Sequence, residues 1–396
     1  MNTGGIQDVL VVGAGLIGAS IALGLAKAGY QVSLFEKNEP RLSFGASGHD
    51  ARTVAVSPHS QKLLESLGVW QNLVSQIFKR IVVWEDQGTA QIEFTASEVQ
   101  LKKLGWIVEL SPAALQLWQA LKTEPNVRLV SGSRVSSVDL HASEVVVGLE
   151  TDTENFRGKL LIAADGAQSS VGKLLDLKTS HTGTGHSAIA TIVKVAKPHC
   201  ETAFQRFLLD GPIALLPVQG DQHHVSLVWS QSPGQAERRM ALEDAAFCVE
   251  LQQAIEAVLG DVKEVDHRYC FPLNQSLRAS FHPADRVLFL GDAAHVVHPL
   301  AGQGVNLGFE DVGELLDIAD TNQADLGRSG LWSGYARRRR VRAQFVQSAM
   351  KGFQGVYSLD NPLLQWVRNM GVQALNASPA VKKQIMKEAL GLGTFN

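Results

Sequence analysis

The sequence has little cysteine, no large excess of either charge and no long apolar run. Three cysteines occur among 396 residues, and their spacing matches neither a metal knot nor a CxxC redox pair. The net charge of −3 offers no overall basic surface for nucleic acid. No apolar stretch approaches the roughly 18–20 residues that cross a bilayer, and no basic-then-apolar secretion signal opens the chain. We therefore expect a cytoplasmic protein with reduced core cysteines, without a metal site or a nucleic-acid partner.

The length exceeds that of one ordinary hydrophobic core and predicts two closely packed domains. One dense basic stretch stands out, formed by the four arginines at 337–340 together with Arg342. Short basic runs of this kind are typical of a solvated helix face. Contact with an anionic lipid surface or an acidic partner is the alternative.

A glycine-rich turn lies inside a complete βαβ unit near the start of the chain. Residues 6–12 end in the apolar run VLVV, helical periodicity follows, and residues 31–35 form a second strand that ends at Glu36. The turn between the first strand and the helix has the pattern GxGxxG at residues 13–18. This arrangement predicts a dinucleotide-binding site.

Each glycine of that turn has a physical role. Gly13 permits the tight turn, Gly15 lets backbone N–H groups approach a pyrophosphate, and Gly18 allows close packing of helix on strand. The pyrophosphate then lies at the positive end of the helix dipole, while Glu36 accepts hydrogen bonds from ribose hydroxyls. The motif alone does not separate NAD from FAD.

Two later strands also end in acids. Asp165 precedes Gly166, a pair that often marks only a turn, although beside a dinucleotide the acid suits hydroxyl or arginine pairing. Asp292 follows Gly291 at the end of an apolar strand and can hydrogen-bond a polyol chain. The loop at 299–304 then opens a helix whose free N–H groups stabilise negative charge, as on a reduced flavin. The three segments together favour FAD.

Two histidines accompany the last of these segments. His295 and His298 could act as catalytic bases or metal ligands, but they have no third ligand at a suitable spacing, so we favour structural roles.

On these residues the chain resembles the flavoprotein aromatic hydroxylases of the p-hydroxybenzoate hydroxylase fold, and within them the ubiquinone-biosynthesis ring hydroxylases. The signature GDAAHxxHPLAGQGxNLG is met at every fixed position from 291 to 308. The segments at 67–70, 211–217, 228–230 and 361–392 favour the ubiquinone branch.

The resemblance implies a set of cofactor-binding residues, with Glu36 on the adenosine ribose, Arg52 reaching the flavin and Asp292 on the ribityl chain. The full set is Gly13, Gly15, Leu16, Ile17, Gly18, Glu36, Arg52, Asp165, Gly291, Asp292, Pro299, Gly302, Gly304, Val305 and Asn306. We identify no catalytic base. Candidates for lining the substrate site, each with plain core packing as the alternative, are Leu216, Pro217, Trp229, Pro272 and Pro299.

The expected fold class is α/β (α+β). It consists of a Rossmann-like FAD-binding domain, an interleaved, mostly antiparallel β-sheet substrate domain and a helical C-terminus. We assign residues 1–79, 96–180 and 276–350 to the FAD-binding domain, 80–95 and 181–275 to the substrate domain, and 351–396 to the C-terminal helical segment. Alternating apolar residues near 80–95 and 181–275 support the second sheet.

The resemblance also implies the reaction. FAD is bound, NADH or NADPH serves as a transient reductant, and a phenolic ring is hydroxylated with O2 through a flavin C4a-hydroperoxide. A polyprenylated phenol or benzoquinol of ubiquinone biosynthesis is the expected substrate. A small soluble phenol on the same fold, or a non-catalytic flavin-binding scaffold, is the alternative.

A prenylated substrate would favour contact with the inner face of the membrane or with a ubiquinone-biosynthesis complex. Apolar residues among basic ones at 363–372 predict an interfacial or partner-facing helix, or else a helix that covers the core. A homo-oligomer is also compatible with the sequence.

Two positions depart from the family pattern. The Asp-Gly motif usually ends in an arginine three residues after its serine, whereas Gly172 stands there, followed by Lys173. The ubiquinone branch commonly has asparagine after Glu109, and this chain has Leu110. Since the Asp-Gly motif in the wider fold touches both FAD and the nicotinamide donor, the first departure leaves the reductant less defined than FAD.

Overall fold

The computed structural model describes most of the chain. The described residues are 5–86, 91–151, 155–297, 304–322, 325–328, 330–357 and 378–389, with backbone only at 353–357, 379, 385 and 389.

The secondary structure of this part of the chain alternates between strands and helices. In chain order the strands are β1 (Gln7–Val12), β2 (Val32–Glu36), β3 (Thr53–Val56), β4 (Ser75–Phe78), β5 (Arg80–Glu85), β6 (Gln91–Thr95), β7 (Gly105–Glu109), β8 (Val127–Ser131), β9 (Val135–Leu140), β10 (Val145–Leu149), β11 (Phe156–Ala163), β12 (Thr179–Val195), β13 (Thr202–Leu208), β14 (Gly211–Pro217), β15 (His224–Gln231), β16 (Val262–Val265), β17 (Tyr269–Arg278), β18 (Val287–Phe289) and β19 (His295–Val296). The α-helices are α1 (Leu16–Lys27), α2 (Pro58–Ser66), α3 (Leu110–Thr123), α4 (Ser170–Leu174), α5 (Pro233–Met240), α6 (Asp244–Ala254), α7 (Gly304–Thr321), α8 (Ser333–Tyr357) and α9 (Pro379–Ala389).

The first sheet has a parallel core. Its strands lie in the order β8-β2-β1-β11-β10-β9, with β18 also paired to β11. Pairs among β8, β2, β1, β11 and β18 are parallel, whereas β9 and β10 join antiparallel. Val9, Leu10 and Val11 on β1 are fully buried, as expected for a central strand of a parallel sheet that is apolar throughout.

The second sheet has nine strands in the order β19-β17-β12-β15-β14-β13-β5-β6, with β16 paired to β12. Every pair except β13 with β5 is antiparallel. Helices α5 and α6 cover one face, where Trp229 packs near Phe247 at a ring-centroid distance of 6.1 Å. A third sheet, β3-β7-β4, is formed by chain segments between β2 and β8 of the first sheet. The predicted α/β (α+β) class is confirmed.

Two elements run across the predicted domain boundaries. Strand β12 crosses residue 180 and pairs with β17 on both sides of that position, and helix α8 continues past residue 350. The backbone therefore continues through one element at each of these two boundaries. The residue limits of the domains stay predictions.

Helix α9 packs against the β5–β6 region through buried Met386 and an ion pair between Lys382 and Glu98. The helix that we predicted at 363–372, whether interfacial or core-covering, lies outside the described part of the chain and stays a prediction. Within the described ranges, no helix is both long enough and apolar enough to cross a bilayer. Of the three free cysteines only Cys248 is buried, so the expectation of core cysteines is wrong for Cys200 and Cys270.

Candidate functional site

The glycine turn at 13–18 connects β1 to α1 with little space to spare on one side and open space on the other. Gly13 has φ of +96°, and a Cβ there would lie 2.7 Å from main-chain atoms of Ala164 and Asp165. A Cβ on Gly18 would overlap the Gly13 carbonyl. Gly15 is exposed, and a Cβ there would meet nothing within 4 Å. The first turn of α1 thus directs free N–H groups toward an open side.

Glu36 lies beside this turn, as its position at the end of β2 predicts. Its Oε2 accepts a hydrogen bond from the Ala14 N–H at 2.7 Å, and its Oε1 accepts one from Asn38 N–H at 3.2 Å. The carboxylate is therefore oriented at the open end of the βαβ unit, where a ribose would be recognised.

The Asp165 turn packs directly on the glycine turn, because Gly13 leaves room for the main chain of Ala164. Asp165 Oδ2 accepts hydrogen bonds from Ser170 Oγ at 2.8 Å and from Val171 N–H at 3.1 Å, which fixes the start of α4. Asp165 Oδ1 is buried and has no hydrogen-bond partner. A buried, unpaired carboxylate oxygen is costly unless a ligand completes its hydrogen bonds.

The late segment, by which we mean the turn at 291–293 and the start of α7, contacts the glycine turn through Ile17. A Cβ on Gly291 would lie 3.2 Å from the Ile17 side chain, and one on Gly308 would lie 2.7 Å from it. The first turn of α1, the Gly291 turn and the first turns of α7 are therefore in van der Waals contact. Three segments that are far apart in the chain converge at one crevice.

Asp292 is on the short 3-10 turn Gly291–Ala293 that follows β18. Its side chain is exposed, yet protein atoms surround it closely enough that desolvation raises the pKa of its carboxyl, opposed by His295. A side chain that is both accessible and closely surrounded lies at the wall of a cleft. A ligand hydroxyl in that cleft would be able to hydrogen-bond the Asp292 carboxylate.

A fully buried charge cluster supports this turn from behind. Asp311 on α7 accepts hydrogen bonds from Arg339 Nε at 2.6 Å and from Gly291 N–H at 3.0 Å, and it lies 2.6 Å from His295 Nε2. Burial raises the pKa of the Asp311 carboxyl, but the charges and hydrogen bonds of His295 and Arg339 outweigh burial and hold that pKa below its usual value. His295 thus has the structural role that we predicted.

The solvated-face interpretation of the arginine run is wrong for part of it. Arg339 is 5% exposed and bonds Asp311, Glu310 and the Leu307 carbonyl, so it is a buried link between α7 and α8. Arg342 likewise pairs with Glu310. The arginines lie within helix α8 and face different sides of it, so only Arg337 and Arg338 of the run are exposed.

Arg52 is half exposed and is held by Asp50, a residue that our sequence reasoning missed. Asp50 Oδ1 accepts hydrogen bonds from Arg52 N–H at 2.9 Å and Nε at 3.2 Å, and Oδ2 accepts one from Ser111 N–H. Buried Glu109 bonds the Asp50 N–H and lies 2.8 Å from His49 Nδ1. The available signal was local: Asp50 stands three residues before β3, and Glu109 stands at the N-cap of α3.

The start of α7 contributes in two ways. The Asn306 side chain donates to the Ala55 carbonyl at 2.7 Å and accepts from Ser57 N–H and Ser60 Oγ, so its amide ties α7 to β3 and α2. The backbone N–H groups of Gly304, Val305 and Asn306 are in the first turn of α7, where a helix offers no carbonyl partner for them. The predicted residues Pro299 and Gly302, with His298, lie outside the described residues.

The predicted lining residues separate onto different surfaces. Trp229 is 1% exposed in the core beneath α6, which corrects its assignment to the lining. Pro272 is exposed. Leu216 is on the opposite face of the large sheet from Trp229, beside Ala55 and Ile107 of the small sheet, and Pro217 is buried next to it in the chain. Strand alternation predicts two faces but does not say which one is the core.

The crevice fits FAD. Its open glycine turn suits a pyrophosphate, Glu36 suits a ribose, and the unpaired Asp165 oxygen and the cleft-facing Asp292 suit polar groups along an extended molecule.

Comparison with known proteins agrees with this fit. The model of an FAD-binding domain family matches residues 7–349. The chain is 34% identical to the 3-demethoxyubiquinol 3-hydroxylase of Escherichia coli, over 97% of this chain and 98% of that protein. It is 30% identical to the human mitochondrial ubiquinone biosynthesis monooxygenase COQ6, over 97% of this chain and 92% of that protein.

Solved structures share the fold. The p-nitrophenol 4-monooxygenase of Pseudomonas putida superposes with a TM-score of 0.76 at 19% identity, covering 98% of this chain and 99% of its own. A variant of HpxO from Klebsiella pneumoniae in complex with FAD superposes with a TM-score of 0.75 at 16% identity, covering 98% of this chain and all of its own.

Proposed function

This chain belongs to the family of FAD-dependent hydroxylases of ubiquinone biosynthesis, and from that premise we propose that it inserts one oxygen atom of O2 into a polyprenylated phenol or benzoquinol. Its relatives are named for reactions in ubiquinone biosynthesis, which supports this substrate class. The observation that carries the proposal is the contact of Ile17 with Gly291 and Gly308, because it joins the nucleotide end and the late segment in one crevice.

At the nucleotide end, we assign the pyrophosphate to the N-terminus of α1. Gly13, Gly15 and the N–H groups of Leu16, Ile17 and Gly18 would surround it, since no Cβ blocks the approach at Gly15. The Glu36 carboxylate would bond the adenosine ribose.

At the other end, Asp292 would bond the ribityl chain and Arg52 would reach the flavin. The backbone at 304–306 would stabilise negative charge at the helix N-terminus. Pro299 and Gly302 stay predictions for the same region. When bound and reduced, FAD supplies the activation of O2, and the protein's task is to bind, to orient and to exclude water.

The substrate ring would lie between the large sheet and the small sheet. Leu216 is on that face, and the Thr53 hydroxyl bonds the Ser226 hydroxyl at 2.8 Å, which holds the two sheets together one residue after Arg52. The apolar side chains of Leu216, Ala55 and Ile107 between the two sheets would help to keep water from the reacting atoms. We therefore retain Leu216 as a lining residue and NADH or NADPH as the transient reductant. Pro217 pairs with Val225 on the face of the sheet that carries Trp229, so we do not retain it as a lining residue.

We further propose peripheral contact with a membrane, because a prenyl tail gains about 0.8 kcal/mol for each CH2 group that leaves water. Helix α8 supports this, since Arg337, Val341 and Phe345 are exposed at the four-residue spacing that places them on one helix face. Flotation with anionic vesicles should be reduced by Val341→Asp with Phe345→Asp. Flotation of this variant equal to that of wild type would contradict membrane contact through α8.

The reaction can be tested with purified protein. We expect a yellow protein that consumes NADH or NADPH and O2 only with a prenylated phenol in detergent, and a product heavier by one oxygen atom. Deleting the gene should cause one ubiquinone precursor to accumulate, as identified by mass spectrometry.

The alternatives give different results. Turnover of small soluble phenols alone would favour the soluble-phenol hydroxylase. A yellow protein that never hydroxylates any phenol would favour the flavin-binding scaffold, and a protein that binds no flavin would contradict the proposal altogether.

A further inference from the structure

Glycine is required at position 172 on α4 by the side chain of a residue far away in the chain, Arg278. A Cβ at this position would lie 2.6 Å from Nη1 and 2.8 Å from Cζ of Arg278. Gly172 is buried inside a short helix and has an ordinary helical backbone, so only the space, and not the backbone conformation, requires glycine here. The Arg278 guanidinium occupies the volume that a side chain on residue 172 would need.

Arg278 ends β17 and is 4% exposed. Its Nε donates to the Ala293 carbonyl at 2.9 Å, and its backbone N–H donates to the Ala294 carbonyl at 2.9 Å. The guanidinium lies 4.1 Å above the ring of Phe289 on β18. Arg278 thus hydrogen-bonds the turn that carries Asp292 and also packs against α4, the helix that follows Asp165.

Two polar atoms at this place are unpaired. Arg278 Nη1 and Asp165 Oδ1 are both buried without a hydrogen-bond partner. Burial lowers the pKa of the Arg278 guanidinium, and nearby Asp165 opposes that change. A buried guanidinium with an unpaired donor lowers the stability of the folded protein, so packing alone does not explain why an arginine is at this position.

We propose that Arg278 replaces, from β17, the arginine that the Asp-Gly motif lacks at position 172, and that it positions the Asp165 and Asp292 turns for the cofactor. The inference rests on the proposed FAD site. It makes Gly172 and Arg278 an interdependent pair: the glycine provides the space, and the arginine provides the charge.

The first test separates charge from bulk. Arg278→Met keeps an elongated side chain over Phe289 but removes the charge and the donors. We expect the FAD dissociation constant of this variant, measured by titration of apoprotein, to rise roughly tenfold to a hundredfold, as for lost charge-assisted hydrogen bonds. Arg278→Lys keeps the charge but not the planar fork, and its FAD affinity should fall between wild type and Arg278→Met.

The second test returns the arginine to the motif. Arg278→Ala and Gly172→Arg should each weaken FAD binding, the latter because two guanidinium groups compete for one space. The double variant Gly172→Arg with Arg278→Ala should bind FAD within about threefold of wild type, because contacting residues are strongly coupled. The matched control, Lys173→Arg with Arg278→Ala, adds an arginine on the exposed side and should bind as weakly as Arg278→Ala.

Wild-type FAD affinity in Arg278→Met, or equal affinity in Arg278→Lys and Arg278→Met, would overturn the inference. So would a double variant that keeps the wild-type urea midpoint but binds FAD no better than Arg278→Ala. Failure of wild type to bind FAD would instead contradict the cofactor site, and binding without hydroxylation would contradict only the reaction.

Discussion

The substitution Asp311→Asn should destabilise the fold more than any other change of a single charge on α7. Asp311 is fully buried, and its two oxygens serve Arg339, the Gly291 N–H and His295 at 2.6–3.0 Å. An asparagine keeps the shape but removes the negative charge, which leaves the buried Arg339 guanidinium with less compensation.

Breaking a buried pair by removing one partner costs about 3–5 kcal/mol. Arg339 keeps hydrogen bonds to Glu310 and the Leu307 carbonyl, so we expect the lower end, about 3 kcal/mol. Urea unfolding followed by tryptophan fluorescence measures this difference. The matched control is Asp317→Asn on the exposed side of the same helix, which should change the unfolding free energy by less than about 0.5 kcal/mol.

The same residue predicts a pH dependence. The pKa of Asp311 is lowered in the folded protein, so its contribution is complete above the unfolded value of about 3.9 and is lost as pH falls through the folded pKa. Wild type should lose more stability than Asp311→Asn between about pH 5 and pH 3. Equal unfolding free energies of the two proteins at neutral pH would refute the reasoning.

Three further predictions concern the crevice and the sheet. Gly15→Ala should lower the unfolding free energy of the apoprotein by no more than about 1 kcal/mol, because alanine is a poorer N-cap but its Cβ meets nothing within 4 Å, yet it should weaken FAD binding in a titration; an unchanged FAD affinity would contradict the pyrophosphate assignment. Gly18→Ala should lower the unfolding free energy even without FAD, since its Cβ overlaps the Gly13 carbonyl, and wild-type stability would contradict the packing described for this turn. Trp229→Ala should cost about 3–5 kcal/mol of stability with little change in KM for substrate, and a large change in KM would return Trp229 to the lining.

The sequence was most informative where a short segment determines its own geometry. A glycine in the left-handed region and a strand followed by an acid are local features, so the turns at Gly13, Asp165 and Asp292 could be placed in advance. The class of the fold followed in the same way, because parallel and antiparallel strands differ in apolar pattern.

Predictions were wrong or incomplete where the partner is far away in the chain. The exposure of Arg339 depends on Asp311, and a basic run does not reveal which of its members faces a buried acid. The alternation of β15 does not say that α6 will cover Trp229. Gly172 was visible as a departure from the family pattern, but only the fold shows that Arg278 fills the space.

The most direct test of the central claim is hydrogen–deuterium exchange with and without FAD. If one FAD spans the crevice, its addition should protect the amides at 13–18 and, in the same titration, those at 291–293 and 304–308. Protection of the glycine turn alone, with the late segment exchanging as in the apoprotein, would contradict a single cofactor held by both.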